Sequence, residues 1–177
     1  VNVYENKTVR DVYSQLPELS LPGFELEGWT NLSTATDKIT DSELNKVLGE
    51  ELGGYSYTFY PIFKGVGNYG VYDSNDNQIM SLENLIKNGY LFYYGNNALK
   101  TMTNSTQSEL TGKLVLPNGI TSLEMFDSKL NISSLNIPNT VTSICITGSC
   151  EDITELDLPS SVTEIVLMSG LVNLQNI

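Results

Sequence analysis

The sequence predicts a mainly β fold with a few short helices, an α+β chain in which a small module precedes a repeat solenoid with coils of about 21 residues. Three observations carry this. Pro117, Pro138 and Pro159 stand 21 residues apart. The residues around them keep the same period, in short alternating apolar stretches. Residues 1–64 lack that period and instead mix helix-capping patterns with strand-like alternation.

The repeat is read from Leu114 onward. Leu114, Leu135, Leu156 and Ile177 align, as do Leu116, Ile137 and Leu158. Ile120, Val141 and Val162 follow, with Thr121, Thr142 and Thr163 beside them. Next come Leu123, Ile144 and Ile165, then Met125, Ile146 and Leu167, then Ile132, Ile153 and Leu174. Each coil holds two L-x-L stretches, such as Leu156-Asp157-Leu158 and Ile165-Val166-Leu167. Alternation sends the outer two side chains of a stretch one way and the middle one the other. Neither stretch buries its apolar side alone, but stacked coils put Leu on Leu and Ile on Ile in one continuous core. Proline ends each first strand because it cannot donate to a ladder. A period in this range with such cores is the signature of a leucine-rich-repeat solenoid. Ile177 falls where a new repeat begins, so the solenoid reads as cut in mid-period. An uncapped coil leaves strand groups unpaired, and end-to-end dimers through it would carry no biological meaning by themselves.

The expected division is a module at 1–64, a connector and N-terminal cap at 65–113, and repeats at 114–177. In the first part, Val1-Asn2-Val3-Tyr4 alternates like a strand, and Thr8 with Asp11 caps a short helix, VRDVYSQL, before Pro17. Leu21-Pro22-Gly23 marks a turn, and Phe24 to Trp29 reads as a strand. Thr40-Asp41-Ser42-Glu43 is a capping box opening a second helix, with Leu44, Val47 and Leu48 on one face and Gly49 as the stop. Tyr55 to Phe63 alternates as a further strand. In the connector, Gly65, Gly67 and Gly70 mark turns, and Tyr69 to Met80 forms a hairpin around a polar run. Ser81 caps LENLIKN, Gly89 ends it, and Tyr90 to Tyr94 is strand-like.

Composition restricts the chemistry. Nine Lys plus Arg face 21 Asp plus Glu, a formal charge of −12. Such a chain repels nucleic-acid backbones and anionic membranes, which are bound by clustered cations, so neither is an expected partner. No apolar run is long enough for a membrane span, and no basic stretch followed by an apolar run marks a signal peptide. The low charged fraction of 17% leaves a surface built from Asn, Ser, Thr and Gln, which suits a secreted protein. The chain has no histidine, which removes Ser-His-Asp and Cys-His catalysis, His-ligated zinc and the commonest general base.

Other chemical motifs are weak. Cys145 and Cys150 lack the spacing of zinc or thioredoxin-type pairs and read as thiols packed in a repeat, with a disulfide as the alternative. Asp73-Ser-Asn75-Asp-Asn77 begins like a calcium loop, but Gln78 and Asn84 stand where Gly and Glu are required, so it reads as a polar turn. Asp37, Asp41 and Glu43 lie together, and the capping box accounts for them. Sequons at Asn6, Asn31, Asn104 and Asn131 are what an Asn/Ser/Thr-rich chain produces by accident. No metal, cofactor or catalytic residue is assigned.

LVLPNGITSL, LNIPNTVTSI and LDLPSSVTEI resemble BspA-like leucine-rich repeats over roughly residues 110–177. The chain departs from that family at 146–150, where ITGSC replaces an A-F-x-x-C segment. LPGFELEGW with the later YTFYPIFKG resembles the internalin-type B repeat, matching at Phe24, Gly28, Trp29, Tyr60 and Phe63. That resemblance implies a small β-grasp-like module, in which Trp29 is expected as a core residue rather than a ligand-stacking one. Together the two resemblances imply a non-catalytic fragment of a bacterial cell-surface protein. It would act extracellularly, in adhesion or in binding a protein or host-surface ligand. The alternatives are a spacer that holds other modules off the cell wall and an accessory domain of a secreted hydrolase. The candidate binding residues are two outward rows, Glu124, Cys145 and Val166 on one side and Val115, Asn136 and Asp157 on the other.

Overall fold

The computed structural model describes residues 7–34, 37–47, 58–95, 97–102, 107–126, 129–148, 150–168 and 171–177. The chain forms two compact units, Val1–Ser20 with Phe24–Lys64, and Leu21–Gly23 with Gly65–Ile177. The connector thus belongs with the repeats. The expected strand at Val1–Tyr4 lies outside the described residues.

In the first unit, helix α1 spans Val9–Tyr13 and helix α2 spans Asp41–Leu44, each opened by a complete capping box. Thr8 N–H donates to Asp11 Oδ2 at 2.8 Å, and Thr40 N–H donates to Glu43 Oε2 at 3.3 Å. The backbone bond from Thr8 holds the Asp11 carboxyl below its ordinary value, and that from Thr40 does the same for Glu43. Both helices are shorter than expected. After Tyr13 the chain passes into turns. After Leu44 it soon bends so that Val47 bridges Thr8 and Lys46 accepts the Val9 N–H at 3.0 Å. Leu48 and Gly49 lie outside the described residues. Val9, Ile39 and Leu44 make a small core, against which Tyr13 and Phe59 pack edge to face. Strands β1 (Phe24–Thr30) and β2 (Tyr60–Gly65) form a two-stranded sheet, with Phe24 against Phe63. No larger sheet occurs among the described residues of this unit, so the β-grasp expectation rests on the resemblance. Trp29 is half-buried rather than enclosed, and by alternation it shares a face with exposed Glu25 and Glu27.

The second unit is a β-solenoid of about three turns. Its entrance is a hairpin of β3 (Gly70–Tyr72) and β4 (Gln78–Ser81), then helix α3 (Leu82–Lys87), capped by Ser81. At the hairpin turn, Asp73 Oδ1 accepts the N–H groups of Asn75 and Asn77. Bonds from the side chain and backbone of Asn77 hold the Asp73 carboxyl low, as in an ordinary Asx-type turn. Strands β5 (Leu91–Tyr94) and β6 (Ala98–Thr101) form a second antiparallel pair.

The coils then alternate between two sheets. Strands β7 (Leu110–Val115) and β9 (Leu130–Asn136) are parallel, and β3 and β4 extend their sheet on the β7 side. Strands β8 (Ser122–Met125), β10 (Ser143–Ile146) and β11 (Glu164–Leu167) are parallel and continue from β6, giving the order β11-β10-β8-β6-β5. The registers reproduce the sequence period: Leu123, Ile144 and Ile165 are direct partners, as are Met125, Ile146 and Leu167, and Leu114 with Leu135. At the corners, Thr142 and Thr163 hydroxyls donate to the carbonyls of Thr121 and Thr142, one coil back. Leu114, Ile120, Leu123, Ile132, Val141, Ile144, Ile146 and Ile153 are fully buried, forming the continuous core that stacking requires. Glycine is needed where β3 meets its neighbours. A Cβ on Gly70 would lie 2.1 Å from the Met80 carbonyl oxygen, and one on Gly112 would lie 2.4 Å from that of Tyr72.

The segment expected as connector and cap supplies β6, which pairs in parallel with β8 at a step of 24 residues from Ala98 to Ser122. One feature departs from expectation. Leu156-Asp157-Leu158 is not a strand; only a bridge between Glu155 and Asn176 forms there.

Candidate functional site

The solenoid presents two outward surfaces, one on each sheet. On the longer sheet the register aligns Phe92, Lys100, Glu124, Cys145 and Val166 in one row across five strands. The expected row of Glu124, Cys145 and Val166 is therefore a real line of neighbours. The structure adds aromatic side chains to one end of it. Lys100 Nζ pairs with Glu124 Oε2 at 3.0 Å and lies 4.5 Å from the Phe126 ring centroid and 5.5 Å from that of Tyr94. Tyr94 O–H donates to the other oxygen of Glu124, and Phe92 packs on Tyr94 with centroids 6.1 Å apart. Ion pair, hydrogen bond and cation–π contacts link Tyr94, Lys100, Glu124 and Phe126 into one cluster. Tyr94 keeps 38% of its surface exposed.

These aromatics lie outside the 21-residue period. Phe92 and Tyr94 come from the upstream hairpin and Phe126 from the turn after β8. The LFYY string was legible as a strand, but its place beside Glu124 depends on how β6 joins the sheet.

The other row is broken. Val115 pairs with Asn136 in register, and Asp157 does not continue the ladder. β9 is the edge of its sheet. Leu156 N–H donates to Asn176 O of the following coil at 3.1 Å. A cleft of about 410 Å³ opens at this break, lined by Ser134, Leu135, Glu155, Leu156, Asp157, Asn176 and Ile177.

Both cysteines are free thiols. Cys145 is half-exposed on the outward row, whereas Cys150 is fully buried and burial pushes its thiol up to about 11. Burial likewise raises the Tyr93 phenol, whose O–H donates to Pro22 O at 2.5 Å and ties the turn at Leu21–Gly23 to β5. Asp41 pairs with Arg10 at 2.6 Å, and Glu43 accepts from Asn31, so these acids are engaged in local structure. Among the described residues no three His, Cys, Asp or Glu side chains converge as metal ligands, and no helix is long and apolar enough to cross a membrane. No family model, curated protein or solved structure matches the chain.

Proposed function

We propose that this chain is a non-catalytic binding module of a bacterial cell-surface protein, and that it engages a protein partner through the outward face of β5, β6, β8 and β10. The observation that supports this most is the cluster of Phe92, Tyr94, Lys100, Glu124 and Phe126. Interface energy concentrates in a few aromatic and cationic side chains near the centre of an interface, and here such side chains stand together on one outward face. The repeat resemblance points to the same class, adhesion to host or matrix components. Chemistry by the chain itself is disfavoured by the lack of histidine.

Adhesion of the purified chain to host cells and matrix proteins tests the reading. Tyr94→Ala with Phe126→Ala is expected to reduce adhesion at least about tenfold, the loss typical of a hot-spot pair. Unchanged adhesion after substitutions along both outward rows would instead favour the spacer role.

A further inference from the structure

Thr101 ends β6, lies in register with Leu91 of β5 and is only 4% exposed. The register of β6 with β8 runs from Ala98 and Ser122 to Lys100 and Glu124 and stops there. Just past β10 and β11, a main-chain bond reaches back one coil. Thr147 N–H donates to Met125 O at 2.8 Å, and Met168 N–H donates to Ile146 O at 2.9 Å. Phe126 holds the same place just past β8, 21 residues before Thr147. Its N–H donates instead to the Thr101 side chain, at Oγ1, 2.9 Å away. The same hydroxyl donates to Phe126 O at 3.3 Å. The main chain after Thr101 turns to its other neighbour, with Met102 N–H donating to Tyr90 O at 3.1 Å. One buried hydroxyl thus engages both backbone polar groups of Phe126. Of the three residues at this place, Phe126 alone is aromatic, and its ring centroid lies 4.5 Å from Lys100 Nζ.

We propose that Thr101 is a positioning residue of the aromatic face, whose hydroxyl sets the backbone of Phe126 and so holds the phenyl ring at Lys100. The proposal rests on the reading of that face as the binding surface. A bond at the N–H and another at the carbonyl fix the direction in which the Phe126 side chain leaves the main chain. Without the hydroxyl, a part-buried N–H loses its acceptor, which is costly enough to move the residue toward another partner. The ring then leaves the lysine, and the cation–π contact goes with it.

An aromatic ring above a lysine shields the ε-methylene protons, so NMR of the whole chain reads the position of the Phe126 ring. Phe126→Ala supplies the unshielded reference for the Lys100 signal. Thr101→Val keeps the side-chain shape without the hydroxyl and is expected to move the signal toward that reference and to weaken adhesion. Thr101→Ser keeps the hydroxyl and is expected to preserve both. Ile132→Val trims a fully buried side chain of the other sheet and is expected to change neither. In the parent chain the Phe126 amide is expected to exchange as slowly as that of Thr147, a measurement that needs no variant to fold. An unmoved signal in Thr101→Val, a moved one in Thr101→Ser or Ile132→Val, or a Phe126 amide that exchanges much faster than that of Thr147 would each overturn the proposal. So would full adhesion by Thr101→Val where Phe126→Ala loses it. Full adhesion by the Tyr94 and Phe126 variants would instead remove the binding reading, because the Lys100 signal reports the ring whether or not the face binds.

Discussion

Ile144 and Ile165 occupy the same position of successive coils and face each other in register, yet they live in different environments. Ile144, on β10, has β8 on one side and β11 on the other and is fully buried. Ile165, on β11, stands at the sheet edge and is 39% exposed. Equal sequence thus produces equal backbone and unequal burial. In a solenoid a coil's own residues set its path, and its neighbours on both sides set how much apolar surface leaves water.

Substitution at the two positions is the sharpest way to break this comparison. Ile144→Ala opens a cavity between two coils and is expected to cost about 2–5 kcal/mol. Ile165→Ala, at a part-exposed edge, is expected to cost roughly 1 kcal/mol or less. Urea denaturation followed by circular dichroism measures both, and equal losses would mean that the edge coil is as enclosed as the inner one.

A smaller effect separates the solenoid from the first unit, whose core of Val9, Ile39 and Leu44 depends on local caps. Thr40→Ala is expected to cost about 1 kcal/mol, read as faster amide hydrogen exchange around Leu44. The Glu43 carboxyl is held below its ordinary value of 4.5, first by the Thr40 backbone bond. Its contribution is therefore present at neutral pH and lost as pH falls below that value. The difference between Thr40→Ala and the parent chain is expected to shrink in acid, and a pH-independent difference would show that the box does not act through the carboxylate.

The smallest effect compares two cysteines of one coil. Cys145 is half-exposed and Cys150 is buried, so a thiol reagent at neutral pH is expected to modify Cys145 alone in the native chain and both after unfolding. Burial raises the Cys150 thiol from 9.0 to about 11. The folded chain keeps that proton longer than the unfolded one, so stability falls as pH rises through this interval. Rapid modification of both thiols in the native chain would show that the corner around Cys150 opens.

The repeat was legible because stacking demands the same residue type at the same place in each coil. Leu123, Ile144 and Ile165, named from spacing alone, are register partners on adjacent parallel strands. The capping boxes were legible because each joins residues only three apart. Helix length was less so: Leu44, Val47 and Leu48 share a helical face on paper, but the bridge from Val47 to Thr8 takes the chain elsewhere. The aromatic cluster was not legible because it assembles across the irregular 24-residue step from Ala98 to Ser122. The cleft was hidden for the opposite reason. Asp157 fits the period, yet the ladder of β9 does not continue to it, and the segment pairs with the following coil instead, through Leu156 N–H to Asn176 O.

Residue order by itself determined that coils form, where they turn and which side chains face inward, because alternation, proline and capping act over a few residues. Only the tertiary structure decided which inward side chains are enclosed, which outward ones meet in the Tyr94 cluster and where the sheet stops at β9. Those outcomes depend on main-chain partners a coil or more away, and no local pattern specifies whether such a partner is bonded or left open.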